Sequence, residues 1–129
     1  MHIAPLISRS LVSLSADATI AEAARRMASR GVGSAVVTSS EGSPGIITER
    51  DVLQAVADGV DLDATQVSDY MTANAITATE SWDVVEAARR MSEGGFRHLV
   101  VVDEKGEVSG MLSIRDLVES ILDLISAAR

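Results

Sequence analysis

Two four-residue segments carry the side chains best suited to chemistry. Thr48-Glu49-Arg50-Asp51 and Ser113-Ile114-Arg115-Asp116 each set a hydroxyl three residues ahead of a carboxylate, with an arginine just before the carboxylate. The spacing has two physical readings. Ser or Thr followed three residues later by an acid closes the first turn of a helix, where backbone N–H groups lack partners within the helix. A helix start is also an anion site, because those N–H groups and the positive end of the helix dipole suit a phosphate. There the hydroxyl adds a hydrogen bond, and an ionised aspartate accepts hydrogen bonds from hydroxyls. Arg50 and Arg115 are either solvated helix residues or phosphate contacts. This is the chemistry of binding rather than of turnover: no nucleophile with a base and no Walker-type glycine loop is present. The chain has no cysteine, and its two histidines, His2 and His98, stand without a ligating cluster, so a metal site is not expected.

The elements that must hold these segments are duplicated. Glu22-Ala23-Ala24-Arg25-Arg26-Met27 recurs 64 positions later as Glu86-Ala87-Ala88-Arg89-Arg90-Met91. At the same shift Gly31 meets Gly95, Val36-Val37 meets Val100-Val101, and Gly42 meets Gly106. Gly45 to Asp51 then meets Gly110 to Asp116 at a shift of 65. Each copy predicts the same order. Short strands fall at Val12-Ser13-Leu14 and Ala75-Ile76-Thr77. Helices follow, opened by Thr19 or Asp83, apolar along Ile20, Ala23, Ala24, Met27 or Val84, Ala87, Ala88, Met91, and stopped at Gly31 or Gly94-Gly95. Ala35 to Val37 with Gly45 to Ile47, and Leu99 to Val102 with Val108 to Leu112, predict two hairpins, the first turning over Ser39 to Pro44. Second helices start at Thr48 and Ser113 and end near Gly59 and Ala128. The expected division is residues 6–59, a polar connection 60–69, and residues 70–129.

Composition narrows the function. The 129 residues carry 11 basic and 19 acidic side chains, a net charge of −8, with 47% hydrophobic but only 2% aromatic residues. Wholesale disorder is excluded. An acidic chain lacks the positive field that nucleic acid requires, and few rings remain for stacking on bases. A core must come from Ala, Val, Ile, Leu and Met. No apolar run approaches a membrane span and the first ten residues lack a signal-peptide pattern, so a soluble cytoplasmic protein is expected.

The order of elements, the Glu-x-Ala-x-x-x-Met helix, the strand Phe96-Arg97-His98-Leu99-Val100-Val101-Val102-Asp103 and the two Gly-x-x-(Ser/Thr)-x-x-Asp segments resemble a pair of CBS domains, a Bateman module. The resemblance spans residues 6–122. It implies an α/β fold of α+β repeats, strand-helix-strand-strand-helix in each copy, related by pseudo-twofold symmetry, in a free-standing member of the family. It also implies regulation rather than catalysis, with no obligatory cofactor. Proteins similar to this one bind AMP, ADP, ATP or S-adenosylmethionine in clefts between the repeats, form dimers, and alter a partner protein.

Carried onto this sequence, the resemblance gives Ser113 and Thr48 phosphate roles and Asp116 and Asp51 ribose roles. It puts Arg97 and His98 beside the phosphates, where an arginine fork is well suited, and Val12 and Ile76 against the adenine. One cleft is expected to combine Ser113, Asp116, Arg97 and His98 with Val12 and Val32-Gly33, and the other Thr48 and Asp51 with Ile76 and Phe96. Gly33 and Ser34 stand where the second repeat has Arg97 and His98, so the two are not equivalent and the first cleft is the better nucleotide site. The remaining alternative is a ligand-independent dimerisation or interaction scaffold, in which Thr48, Asp51, Ser113 and Asp116 only cap helices.

Overall fold

The computed structural model describes residues 1–38 and 42–128. The turn expected over Ser39 to Pro44 lies partly outside them. Two compact units form: Leu11–Ala75, and Met1–Ser10 together with Ile76–Arg129.

In the first unit, β1 (Ser13–Ser15), α1 (Ile20–Arg30), β2 (Ser34–Thr38), β3 (Gly45–Thr48) and α2 (Glu49–Ala57) follow in the predicted order. The sheet runs β1-β2-β3, with β1 parallel and β3 antiparallel to β2. Parallel neighbours cannot be joined by a tight turn, so α1 is the crossover between β1 and β2. Thr19 caps α1 by accepting a hydrogen bond from the Glu22 N–H. Gly31 ends it at φ 66°, a left-handed conformation that glycine adopts without a Cβ penalty. Ile20, Ala23 and Met27 face the core beside Leu14, Val37, Ile47 and Ala55. Ala24 of the expected stripe is only half-buried.

The second unit repeats the pattern with β4 (Thr77–Thr79), α3 (Val84–Gly94), β5 (His98–Val102), β6 (Val108–Ser113) and α4 (Ile114–Ala127). Its sheet is β4-β5-β6, again one parallel and one antiparallel pair. Asp83 caps α3 through the N–H groups of Val85 and Glu86, and Gly95 closes it at φ 69°. Arg89 and Arg90 both pair with Glu86 on the surface, and Arg90 also lies over the Trp82 ring. The expected first strands begin late: Val12 precedes β1, and Ala75 and Ile76 precede β4. Among the described residues every buried apolar side chain is Ala, Val, Ile, Leu or Met; no aromatic is buried.

Each unit is completed by a segment that chain order assigns elsewhere. Residues 60–69, expected as a connection, belong to the first unit, where Val67 is fully buried and Val60, Leu62, Tyr70 and Met71 pack on the core. The second unit takes in the chain start, with Ile3 fully buried and Leu6 and Ile7 packed beside it. These two arms are equivalent. Gln66 bridges to Thr19 and Thr72 to Ile46; His2 bridges to Asp83 and Ser8 to Met111. His2, Ile3 and Ser8 are offset by 64 from Gln66, Val67 and Thr72, the same offset as the repeat. Three-residue 3-10 turns, Ala4–Leu6 and Val67–Asp69, let the arms bend between their bridges.

Candidate functional site

The two hydroxyl–carboxylate segments form the N-termini of α2 and α4. Thr48 is the N-cap of α2: its Oγ1 accepts from the Asp51 N–H at 3.4 Å, and the Asp51 Oδ2 accepts from the Thr48 N–H at 2.8 Å. Ser113 and Asp116 make the same reciprocal pair on α4, at 3.1 and 3.4 Å. The capping reading is therefore satisfied in both copies. Each pair is half-buried, with Arg50 and Arg115 exposed one residue before the carboxylate. In both boxes the bonds run to Oδ2, and among the described residues Oδ1 accepts none. A carboxylate so held still offers an aimed acceptor.

The hairpins deliver the residues before β2 and β5 to the same place. His98 is the cross-strand partner of Ser113, and the Arg97 carbonyl accepts from the first helical N–H, that of Ile114, at 2.8 Å. Arg97, His98, Ser113 and Asp116 are thus brought together within one unit, with Arg97 exposed and His98 half-buried. In the first unit Ser34 pairs with Thr48, and the Gly33 carbonyl accepts from the Glu49 N–H at 2.9 Å. The backbone frame is common to both units; the side chains lining it differ.

These bonds correct one expectation. A helix start was expected to offer several unpaired N–H groups, but the first and third are already taken in both helices. The second, of Arg50 or Arg115, is without a protein partner among the described residues. Any anion held here depends on that one N–H, on the capping hydroxyl and on arginine.

The hydroxyls also differ. Thr48 Oγ1 donates to Asp51 Oδ2 at 3.2 Å. Ser113 Oγ accepts from Asp116 N–H and, among the described residues, donates to nothing. Ser113 therefore keeps its proton available for a ligand, whereas Thr48 must first give up a hydrogen bond.

Val12 and Ile76 have unlike settings. Val12 is buried in the first unit and its carbonyl accepts from Val36 N–H at 2.9 Å. Ile76 is 52% exposed. Val12 and Ser113 lie in different units, as do Ile76 and Thr48. Sequence reasoning missed the arms. Their shared signal is faint, an apolar residue, another four later, then a hydroxyl: Ile3, Ile7, Ser8 and Val67, Met71, Thr72. Among the described residues no group of three or more His, Cys, Asp or Glu could hold a metal ion, and no helix is long and apolar enough to cross a membrane.

Comparison with known proteins matches this architecture. The CBS domain family model fits residues 3–58 and again 67–123. Over 109 residues, 84% of the chain, the sequence is 42% identical to an uncharacterized 17.7 kDa protein of Acidianus ambivalens, spanning 65% of that protein's length. It is 41% identical over 110 residues to a CBS domain-containing protein of Arabidopsis thaliana, but spans only 19% of it. A CBS domain protein from Pyrobaculum aerophilum, solved in complex with AMP, superposes with a TM-score of 0.82 at 39% identity, over 90% of this chain and 89% of that one. A CBS-domain containing protein from Agrobacterium tumefaciens gives 0.83 at 33% identity, over 93% and 98%. With the same strand, helix, hairpin and helix built twice and the family match falling on both copies, the chain belongs to the CBS domain family and carries a tandem pair of these domains.

Proposed function

We propose that this chain is a regulatory module that binds an adenosine-containing ligand (AMP, ADP, ATP or S-adenosylmethionine) in clefts between its repeats and thereby modulates a partner protein. The observation that carries the reading is the AMP complex of the Pyrobaculum relative, 39% identical over 90% of this chain. The geometry of each motif fits such a ligand. Ser113 and Arg97 offer donors to phosphate, the Arg115 N–H adds another, and Asp116 Oδ1 accepts from ribose hydroxyls. Adenine is assigned to the strand start at Val12 for the Ser113 motif, where the Val12 side chain is itself buried, and to the exposed aliphatic side chain of Ile76 for the Thr48 and Asp51 motif.

Chain connectivity supports the pairing of Ser113 with Val12. Ser8 is bridged to Met111, two residues before Ser113, and Val12 follows Ser8 by four residues. Whatever the arrangement of the units, four residues span at most about 14 Å. The same spacing links Thr72, bridged to Ile46, with Ile76.

A ligand regulates only if it binds one state better than another. Occupancy must therefore alter the relation of the repeats, or of two copies of the chain, for a partner to sense it. The function proposed is binding and regulation, not turnover. Calorimetric titration of nucleotide-free protein with AMP, ADP, ATP and S-adenosylmethionine tests the reading. Binding of at least one is expected, and no heat with any of the four overturns it. Asp116→Ala should weaken binding more than Asp51→Ala.

One observation favours a second reading. Leu53 and Val56 on α2, and Val118, Ile121, Leu122 and Ile125 on α4, are exposed aliphatic side chains. Such faces suit a ligand-independent homodimer or interaction scaffold. Sedimentation would then show a dimer whose stability no nucleotide changes.

A further inference from the structure

We infer that the two exchanged arms are positioning elements for the ligand motifs: Ile3 to Ser8 sets the geometry of the Ser113 motif, and Val67 to Thr72 that of the Thr48 motif. The inference rests on the nucleotide reading above and adds to it what holds each motif in place. β6 is the outer strand of its sheet, and its register with β5 is irregular between Val101 and Val102. Paired to β5 on one side only, β6 has a second backbone edge whose N–H and C=O groups need partners, and the same holds for β3 beside β2. Next to the motif, the arm supplies its outer pairing: Ser8 N–H donates to the Met111 carbonyl and Met111 N–H to the Ser8 carbonyl, both at 2.9 Å. In the first unit Thr72 and Ile46 make the equivalent pair at 2.9 and 3.0 Å.

A glycine beside each bridge admits the arm. A Cβ on Gly110 would lie 1.9 Å from Ile7 Cγ2 and 3.0 Å from the Ser8 carbonyl oxygen. On Gly45 it would lie 3.0 Å from the Thr72 carbonyl oxygen and 3.2 Å from Met71 Sδ. Neither glycine has a positive φ, so close approach of the arm, not backbone conformation, is what requires glycine here.

Each arm is fixed at one end to the strand that delivers a capping hydroxyl. Four residues on, the chain reaches Val12 or Ile76, which the nucleotide reading puts against adenine. A slip of the arm along β6 therefore shifts the phosphate and adenine contacts relative to each other. Apparent affinity then falls with the fraction of molecules in which the arm is seated.

The test compares AMP affinity by calorimetry with amide exchange at Met111, in the full chain, for Ser8→Pro, Gly110→Ala and the double variant Gly110→Ala with Ile7→Ala. Ser8→Pro deletes one bridge donor without touching the core, so it remains informative should Gly110→Ala fail to fold. Both single variants should speed Met111 exchange and weaken AMP binding by about tenfold, as two backbone hydrogen bonds are loosened. Trimming the Ile7 side chain in the double variant removes the 1.9 Å clash but leaves the Ser8 carbonyl oxygen 3.0 Å from the added methyl, so it should recover part of the affinity. Parental affinity in Ser8→Pro overturns the inference and leaves the nucleotide reading intact. Affinity lost in Gly110→Ala but not recovered in the double variant also counts against it, because the loss then tracks packing damage rather than arm position. If the parent chain binds none of the four adenosine compounds, the nucleotide reading itself fails and the inference falls with it.

Discussion

The two repeats share a backbone and differ in what they offer a ligand. Both end a hairpin in a capping box, both bring the loop before the hairpin onto the helix start, and both have an arm across the outer strand. Yet the first copy presents Gly33, Ser34 and a Thr48 hydroxyl already donated to Asp51, whereas the second presents Arg97, His98 and a Ser113 hydroxyl with its proton undonated among the described residues. The scaffold is built from backbone bonds and small aliphatic packing, which tolerate exchange of polar neighbours. The same backbone can therefore carry two different sets of polar side chains.

The arms allow the largest test of the shared scaffold. Ile3 and Val67 are both fully buried. Ile3→Ala should cost about 2–5 kcal/mol, and Val67→Ala somewhat less because it deletes fewer carbon atoms. Urea unfolding measures both; near-zero losses would mean that the arms are peripheral.

Arg97 tests the asymmetry next. Arg97→Ala should weaken AMP binding by about tenfold, since a charge-assisted bond to phosphate is lost, and should reduce the salt dependence of binding. An unchanged titration curve would place the phosphate elsewhere.

The capping hydroxyls sharpen the difference further. Ser113→Ala and Thr48→Ala should each cost about 1 kcal/mol of stability, because each removes an N-cap. Ser113→Ala should also weaken AMP binding by about fivefold for one hydrogen bond, and Thr48→Ala should weaken it less. Equal effects of the two on affinity would erase the proposed distinction between the motifs.

A smaller effect separates the arms themselves. The second arm is tied to the end of α2 by Tyr70, whose hydroxyl donates to Asp58 Oδ2 at 2.7 Å; the first is followed by Arg9, which pairs with Glu80 instead. The Tyr70 hydroxyl, aided by the Gln54 amide, holds the Asp58 carboxyl below its ordinary 3.8. Reciprocally, hydrogen bonding to Asp58 raises the Tyr70 phenol above 10.0. A lowered carboxyl pKa stabilises the fold above pH 3.8, and that contribution is lost as pH falls through the folded value. A raised phenol pKa stabilises it below pH 10.0 and is lost as pH rises through the folded value. Tyr70→Phe should therefore be slightly less stable than the parent between these limits, with the gap closing on both sides. Both groups face solvent, so the gap is small. Thermal unfolding across pH measures it.

Much of this was legible in the chain. Thr19, Asp83, Thr48 and Ser113 announce helix starts because their oxygens satisfy N–H groups within three residues, and Gly31 and Gly95 announce stops because only a left-handed residue ends the helix so sharply. The alternation of helices with short β-branched runs pointed to both hairpins. Less was legible at Val12 and Ile76: equivalent in sequence, one is buried and the other exposed. Fewer helix N–H groups are free than local patterns suggest, because the first of them donates across a hairpin to the loop carbonyl of Gly33 or Arg97, at a sequence distance those patterns do not report.

Sequence alone determined the duplication, the secondary structure and the residues of both motifs. Local bonds and side-chain periodicity act within a few positions, and the repeat showed each of them twice. Tertiary structure decided which segment completes which unit, since the arms at 2–8 and 66–72 find their outer strands tens of residues away. It also decided which capping hydroxyl donates to its aspartate, a matter of side-chain geometry too fine for residue types to encode.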